Sequence, residues 1–143
     1  MTEIRFFHNA ADKLSAACRI IATAYRKGRS VTVFAPTPEI AARLDALLWD
    51  SPYHPFLPHV AATSALAGET PVLIDTTLEA PLHLDVLVSL GDEAPPGFER
   101  FAQLIEIVTQ DPADAQSART RWRQYAKQGY KIESNDLVQS ETA

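Results

Sequence analysis

Leu84-Asp-Val-Leu-Val-Ser-Leu90 is nearly continuous in apolar residues, and the reading of the fold turns on it. A strand with apolar side chains on both faces must be covered on both, the situation of a parallel sheet packed between helices. Ser30-Val-Thr-Val-Phe-Ala35 has the same character, as do Val72-Leu-Ile74 and the core strand from Leu104 to Val108. Ile4-Arg-Phe-Phe7 reads as the first strand, bounded by Asn9. Between these runs the apolar period changes from two to three or four. Across residues 10–27, Leu14, Ala17, Cys18, Ile21, Ala24 and Tyr25 form one helical stripe that Gly28 terminates. Thr37-Pro38 and Asp111-Pro112 each supply an N-cap followed by proline at the first helical position. These caps predict helices ending near Trp49 and near Gln128, and Phe98–Phe101 reads as a short helix between strands. Strands alternate with helices, which predicts a single-domain, doubly wound α/β fold with a mostly parallel sheet and helices on both faces. The domain is expected over residues 1–132, with a polar, flexible tail over 133–143.

At 143 residues the chain fits one domain, and 46% hydrophobic with 22% charged residues is the balance of a folded globule. The single cysteine excludes an internal disulfide. The start, Met1-Thr-Glu-Ile-Arg5, lacks the basic and apolar regions of a secretory signal, and no apolar run reaches the length of a membrane span. A cytoplasmic protein with no membrane contact is expected.

The fold expected here often binds nucleotides, and the parts that would do so are missing. The five glycines match neither G-x-G-x-x-G nor G-x-x-x-x-G-K-[ST], so the architecture is Rossmann-like without a phosphate cradle. His54 and His59 flank a proline loop without a nearby cysteine, which favours a hydrogen-bonding role over a metal site. Cys18, on an apolar helical stripe, reads as a small buried hydrophobe rather than a nucleophile. Asp92, at the C-terminal end of a strand, is the one carboxylate placed where an active site could sit, and no partner for it is evident. No catalytic residue, cofactor or metal site is expected.

Two surfaces remain. After Trp49 comes Ser51-Pro-Tyr-His-Pro-Phe-Leu-Pro-His59, three prolines and three large apolar side chains in nine residues. Prolines exclude a regular helix or a central strand there, and Trp49, Tyr53, Phe56, Leu57 and Pro58 form an apolar surface too rich for a connector. The second surface is cationic. Net charge is −5, yet Ala115–Lys131 holds Arg119, Arg121, Arg123, Lys127 and Lys131 with no acid, so the remainder carries −10. On a helix Arg119, Trp122 and Arg123 share one face, two guanidinium groups flanking an indole. That face suits a peptide bearing carboxylates and ending in an aromatic residue. The alternative is that Trp122 packs into the sheet and the arginines only solubilise the helix.

Arg43-Leu-Asp-Ala-Leu-Leu-Trp49 leading into Phe56-Leu-Pro-His59, with Ala118-Arg-Thr-Arg-Trp-Arg-Gln-Tyr125 through Gly129-Tyr130, resembles the chi subunit family of bacterial DNA polymerase III. The likeness runs over about residues 3–132; a basic residue that the family can place early in the last helix is Ala115 here. It implies a non-enzymatic adaptor linking the clamp-loader side of the replicase to the C-terminal tail of single-stranded DNA-binding protein. Carried over by position, it implies tail binding by Val108, Arg119, Trp122, Arg123 and Gly129, and psi-subunit binding by Trp49, Phe56, Leu57 and Pro58. The acidic chain argues against tight direct binding of nucleic acid. The rival readings are a small α/β enzyme or ligand-binding domain using the strand ends near Asp92, and single-strand DNA binding by the basic, aromatic helix.

Overall fold

A computed structural model describes residues 1–54 and 56–137. Seven strands form one sheet: β1 (Glu3–Ala10), β2 (Val31–Phe34), β3 (His59–Ala61), β4 (Val72–Asp75), β5 (Val86–Ser89), β6 (Gln103–Thr109) and β7 (Ile132–Asp136). Their order is β3-β4-β2-β5-β6-β1-β7, and every neighbouring pair is parallel. Three helices cover the sheet: α1 (Lys13–Arg26), α2 (Pro38–Trp49) and α3 (Pro112–Lys127). This is the doubly wound α/β architecture that the alternation of elements predicts.

Side-chain alternation assigns the helices to faces. Val86 and Val88 of β5, with Ile105 and Ile107 of β6, pack against α1 and α2. Leu87, Leu104 and Val108 point the other way, into a core completed by Phe6, Phe98, Phe101 and Tyr125. The strands therefore need apolar residues in both parities, which is why their sequences run rather than alternate. Among the described residues no helix is long and apolar enough to cross a membrane.

The helix starts follow their caps. Thr37 Oγ1 accepts from the Ile40 N–H at 3.2 Å, and Asp111 Oδ1 from that of Ala113 at 3.2 Å. The first helix starts at Lys13 rather than residue 10, because Asp12 caps it, its carboxylate accepting from Ser15 N–H at 2.9 Å. The residues before it belong to β1, which continues past Asn9 through an irregular step in register with Asn9 at φ 64°. A short polar side chain tolerates that left-handed backbone better than a bulky one.

Two strands were not foreseen, and both lie at sheet edges. β3 has three residues, too few to show a period, and β7 is largely polar. An edge strand has one hydrogen-bonded neighbour and partly exposed faces, so the apolar signal is weak. β7 corrects the expected tail: Glu133–Asp136 pair with β1 from Arg5 to His8, and Leu137 is buried. Residues 138–143 of that tail lie outside the described residues.

Candidate functional site

On α3, Ala118, Arg121 and Tyr125 recur at three and four residues and face the sheet. Arg121 therefore does not belong to the cationic surface. It is 2% exposed and donates from Nε to Glu106 Oε2 at 3.0 Å and from Nη1 to the Asp92 carbonyl at 2.6 Å and Ser117 Oγ at 2.7 Å. Tyr125 Oη donates to the same Glu106 oxygen at 2.6 Å. Burial pushes the Glu106 carboxyl above the ordinary range, against the opposing pull of Arg121 and Tyr125. Glu106 itself carried a signal in the sequence, an acid at an inward parity between Leu104 and Val108, which calls for a buried partner.

With Arg121 and Tyr125 turned inward, the outer face of α3 is left to Arg119, Arg123 and Lys127, all exposed. A depression of about 360 Å³ opens between α3 and the C-terminal ends of β6 and β1, lined by Val108, Arg119 and Trp122 together with Phe6, Ala118 and Ser134. The Trp122 ring lies 5.0 Å from that of Phe6, so the indole is packed on the sheet and still forms a wall of the cavity. Trp122 is thus at once a packing residue and part of the cavity lining. Arg123 is exposed one turn beyond Arg119 and does not line the depression; Gly129, at φ 88°, is exposed beyond the helix end. His8 and Thr109 also line it and were not foreseen. The site thus offers a guanidinium at the rim, an aromatic wall and an apolar floor: the means to hold a carboxylate and an apolar side chain together.

The apolar surface sits at the opposite edge of the sheet, where α2 packs beside β3. Trp49 is 65% exposed and Phe56 89%, with Tyr53 and Pro58 also exposed. Leu57 corrects the expectation: it is 2% exposed and belongs to the core beneath α2. The loop alternates, Phe56 out and Leu57 in, because the chain must dock before entering β3. His59 is buried as well, its Nδ1 2.8 Å from the Leu57 carbonyl and its ring 4.7 Å from that of Trp49.

A second depression of about 440 Å³, lined by Lys13, Thr109, Asp111 and Ser117, opens at the strand ends beside Asp92. The Asp92 carbonyl accepts from Ser117 and Arg121, and the neighbouring Lys13 is paired with Asp114 at 3.1 Å. Among the described residues no group of three His, Cys, Asp or Glu side chains could hold a metal ion. Burial pushes the Cys18 thiol up to about 11, in keeping with an inert buried side chain.

Comparison with known proteins gives the family of the chain. The family model described as "DNA polymerase III chi subunit, HolC" matches residues 1–133. A DNA polymerase III subunit chi from Pseudomonas aeruginosa is 30% identical over 141 residues, covering 96% of this chain and 98% of its own. The subunits of that name from Haemophilus influenzae and Escherichia coli are each 29% identical, covering 85% of this chain and 85% and 86% of theirs. Among solved structures, the C-terminal domain of S. cerevisiae Dbp5, bound to Gle1 and IP6, aligns with a TM-score of 0.54 at 14% identity, covering 95% of this chain and 90% of that one. At that identity the likeness carries the fold alone. A family match across nearly the whole chain, with full-length relatives sharing one name, carries more: this chain belongs to the family of the DNA polymerase III chi subunit, an accessory protein of replication.

Proposed function

We propose that the chain is a non-catalytic adaptor that holds the C-terminal tail of single-stranded DNA-binding protein between α3 and the ends of β6 and β1, and the psi subunit, or an equivalent clamp-loader protein, beside the edge strand β3. The observation that carries this reading is the placement of the two surfaces. The depression beside Arg119 and Trp122 lies at β6, and Trp49 and Phe56 lie beside β3, four strand positions away. At about 4.8 Å per strand that is roughly 19 Å, enough for two partners to bind without contesting one site.

In this reading Arg119 and Arg123 take the acidic residues or the terminal carboxylate of the tail, and Trp122 and Val108 wall the pocket for its last side chain. Gly129 lets the chain leave the helix without covering the pocket. Trp49, Phe56 and Pro58 face the psi side, with Leu57 supporting them from the core. Charge-assisted hydrogen bonds contribute about 1.5–3 kcal/mol each, and one buried aromatic side chain a similar amount. After ordering costs, that supports micromolar binding.

Calorimetric titration with a peptide ending in acidic residues followed by Pro-Phe tests it. Arg119→Ala and Arg123→Ala should each weaken binding about ten- to a hundredfold, since 1.4 kcal/mol is tenfold. If both variants stay folded and bind like the parent, the basic face is only a solvated one. An oligonucleotide alone should not bind tightly.

A further inference from the structure

We infer that Trp49 is held in place before any partner arrives and that His59 is the positioning residue that holds it. The inference rests on the proposed psi-side surface and concerns how that surface is built. Trp49 is the last residue of α2, where the helix's own packing no longer constrains a side chain, and at 65% exposure an indole there would ordinarily sample several rotamers. Among the described residues its one aromatic neighbour is His59, ring centroids 4.7 Å apart and planes tilted by 54°.

The imidazole is held by its backbone, its burial and one hydrogen bond. Its backbone is locked into β3, paired opposite Val72, and its side chain is fully buried. Nδ1 lies 2.8 Å from the Leu57 carbonyl, which can only accept, so that nitrogen carries the proton. Nε2 lies 3.3 Å from Asp45 Oδ1 of α2 and makes no hydrogen bond, so the ring is held by its Nδ1 bond and by the packing around it. One ring therefore joins the loop to the edge strand and lies against the indole that ends α2.

Phe56 adds an independent sign of the same design. It is 89% exposed, yet its backbone is left-handed at φ 68°, a conformation that bulky L-residues avoid. Strain on a side chain that packs on little of its own protein marks a surface shaped for something else. A surface already ordered in the free protein binds with less loss of conformational freedom.

The test reads Trp49 itself. In a Trp122→Phe background Trp49 is the sole tryptophan, and its fluorescence anisotropy and acrylamide quenching report its mobility. His59→Ala should lower the anisotropy, raise the quenching and weaken binding of purified psi subunit about three- to tenfold. His59→Phe, which restores a ring beneath the indole, should recover most of both. If His59→Ala does not fold, His59→Leu, which fills the buried volume without an aromatic ring, reads the same quantities in the same directions. Unchanged anisotropy in the folded variants, or a loss of affinity without loss of indole rigidity, overturns the inference. A Trp49→Ala variant that binds psi as tightly as the parent overturns instead the surface on which it rests.

Discussion

Arg121 Nε donates to Glu106 Oε2 at 3.0 Å, and neither residue is more than 2% exposed. The pair joins α3, which carries Arg119 and Trp122, to β6, which carries Val108, and so links two of the elements that line the proposed peptide site. Breaking one half of such a pair is far more damaging than replacing both, because the survivor keeps its desolvation penalty.

Arg121→Met should therefore lower stability by about 3–5 kcal/mol in urea denaturation. Adding Glu106→Gln removes the stranded charge and leaves Tyr125 an oxygen to donate to, so most of the loss should return. A loss below about 1 kcal/mol for the single variant would show that the pair is not the link described.

Salt should separate the two halves of the peptide site. Raising ionic strength from 0.05 to about 1 M shortens the screening length to about 3 Å and should weaken peptide binding through the exposed Arg119 and Arg123. A residual affinity should persist from the aromatic pocket, and deleting the peptide's terminal phenylalanine should abolish it. Salt-independent binding would remove the arginines from the site.

Phe56→Gly should leave the fold at least as stable while weakening psi binding. The left-handed backbone costs a bulky residue about 1–2 kcal/mol, against about 0.5–1 kcal/mol for the extra freedom of glycine in the unfolded chain. A side chain 89% exposed has little packing to lose. A lower denaturation midpoint for the variant would contradict this.

Acid should unfold the protein in part through Asp114. Burial pushes its carboxyl up, but the Thr109 N–H at 2.8 Å, the Thr109 hydroxyl and Lys13 outweigh that and hold it below the ordinary range. A depressed folded-state value means stability that is complete above the unfolded value of about 3.9 and is lost as pH falls through the folded one. Asp114→Asn should destabilise at pH 6 and converge on the parent at about pH 2. A destabilisation of equal size at both pH values would show that the carboxylate's charge is not what matters.

Local chemistry was legible. Thr37 and Asp111 name their helix starts because a side-chain oxygen satisfies an N–H that the helix leaves open, whatever surrounds it. The five central strands were legible because burial on both faces demands continuous apolar residues. β3 and β7 were not, since an edge strand owes its existence to a neighbour far along the chain: Ile132 to Ile4, His59 to Val72.

The sequence by itself determined the fold class, the absence of phosphate-binding glycine motifs and the two stretches from which the candidate surfaces are drawn, because periodicity and composition are local quantities. Only the tertiary structure decided which members of those stretches face outward. Arg119 and Arg121 are two residues apart on one helix; one rims a cavity and the other is sealed against Glu106. Phe56 and Leu57 are adjacent; one is 89% exposed and the other 2%. Charge and hydrophobicity are written in the side chain, but burial is set by what the rest of the fold brings against it, and the carboxylate waiting inside β6 is what turned Arg121 inward.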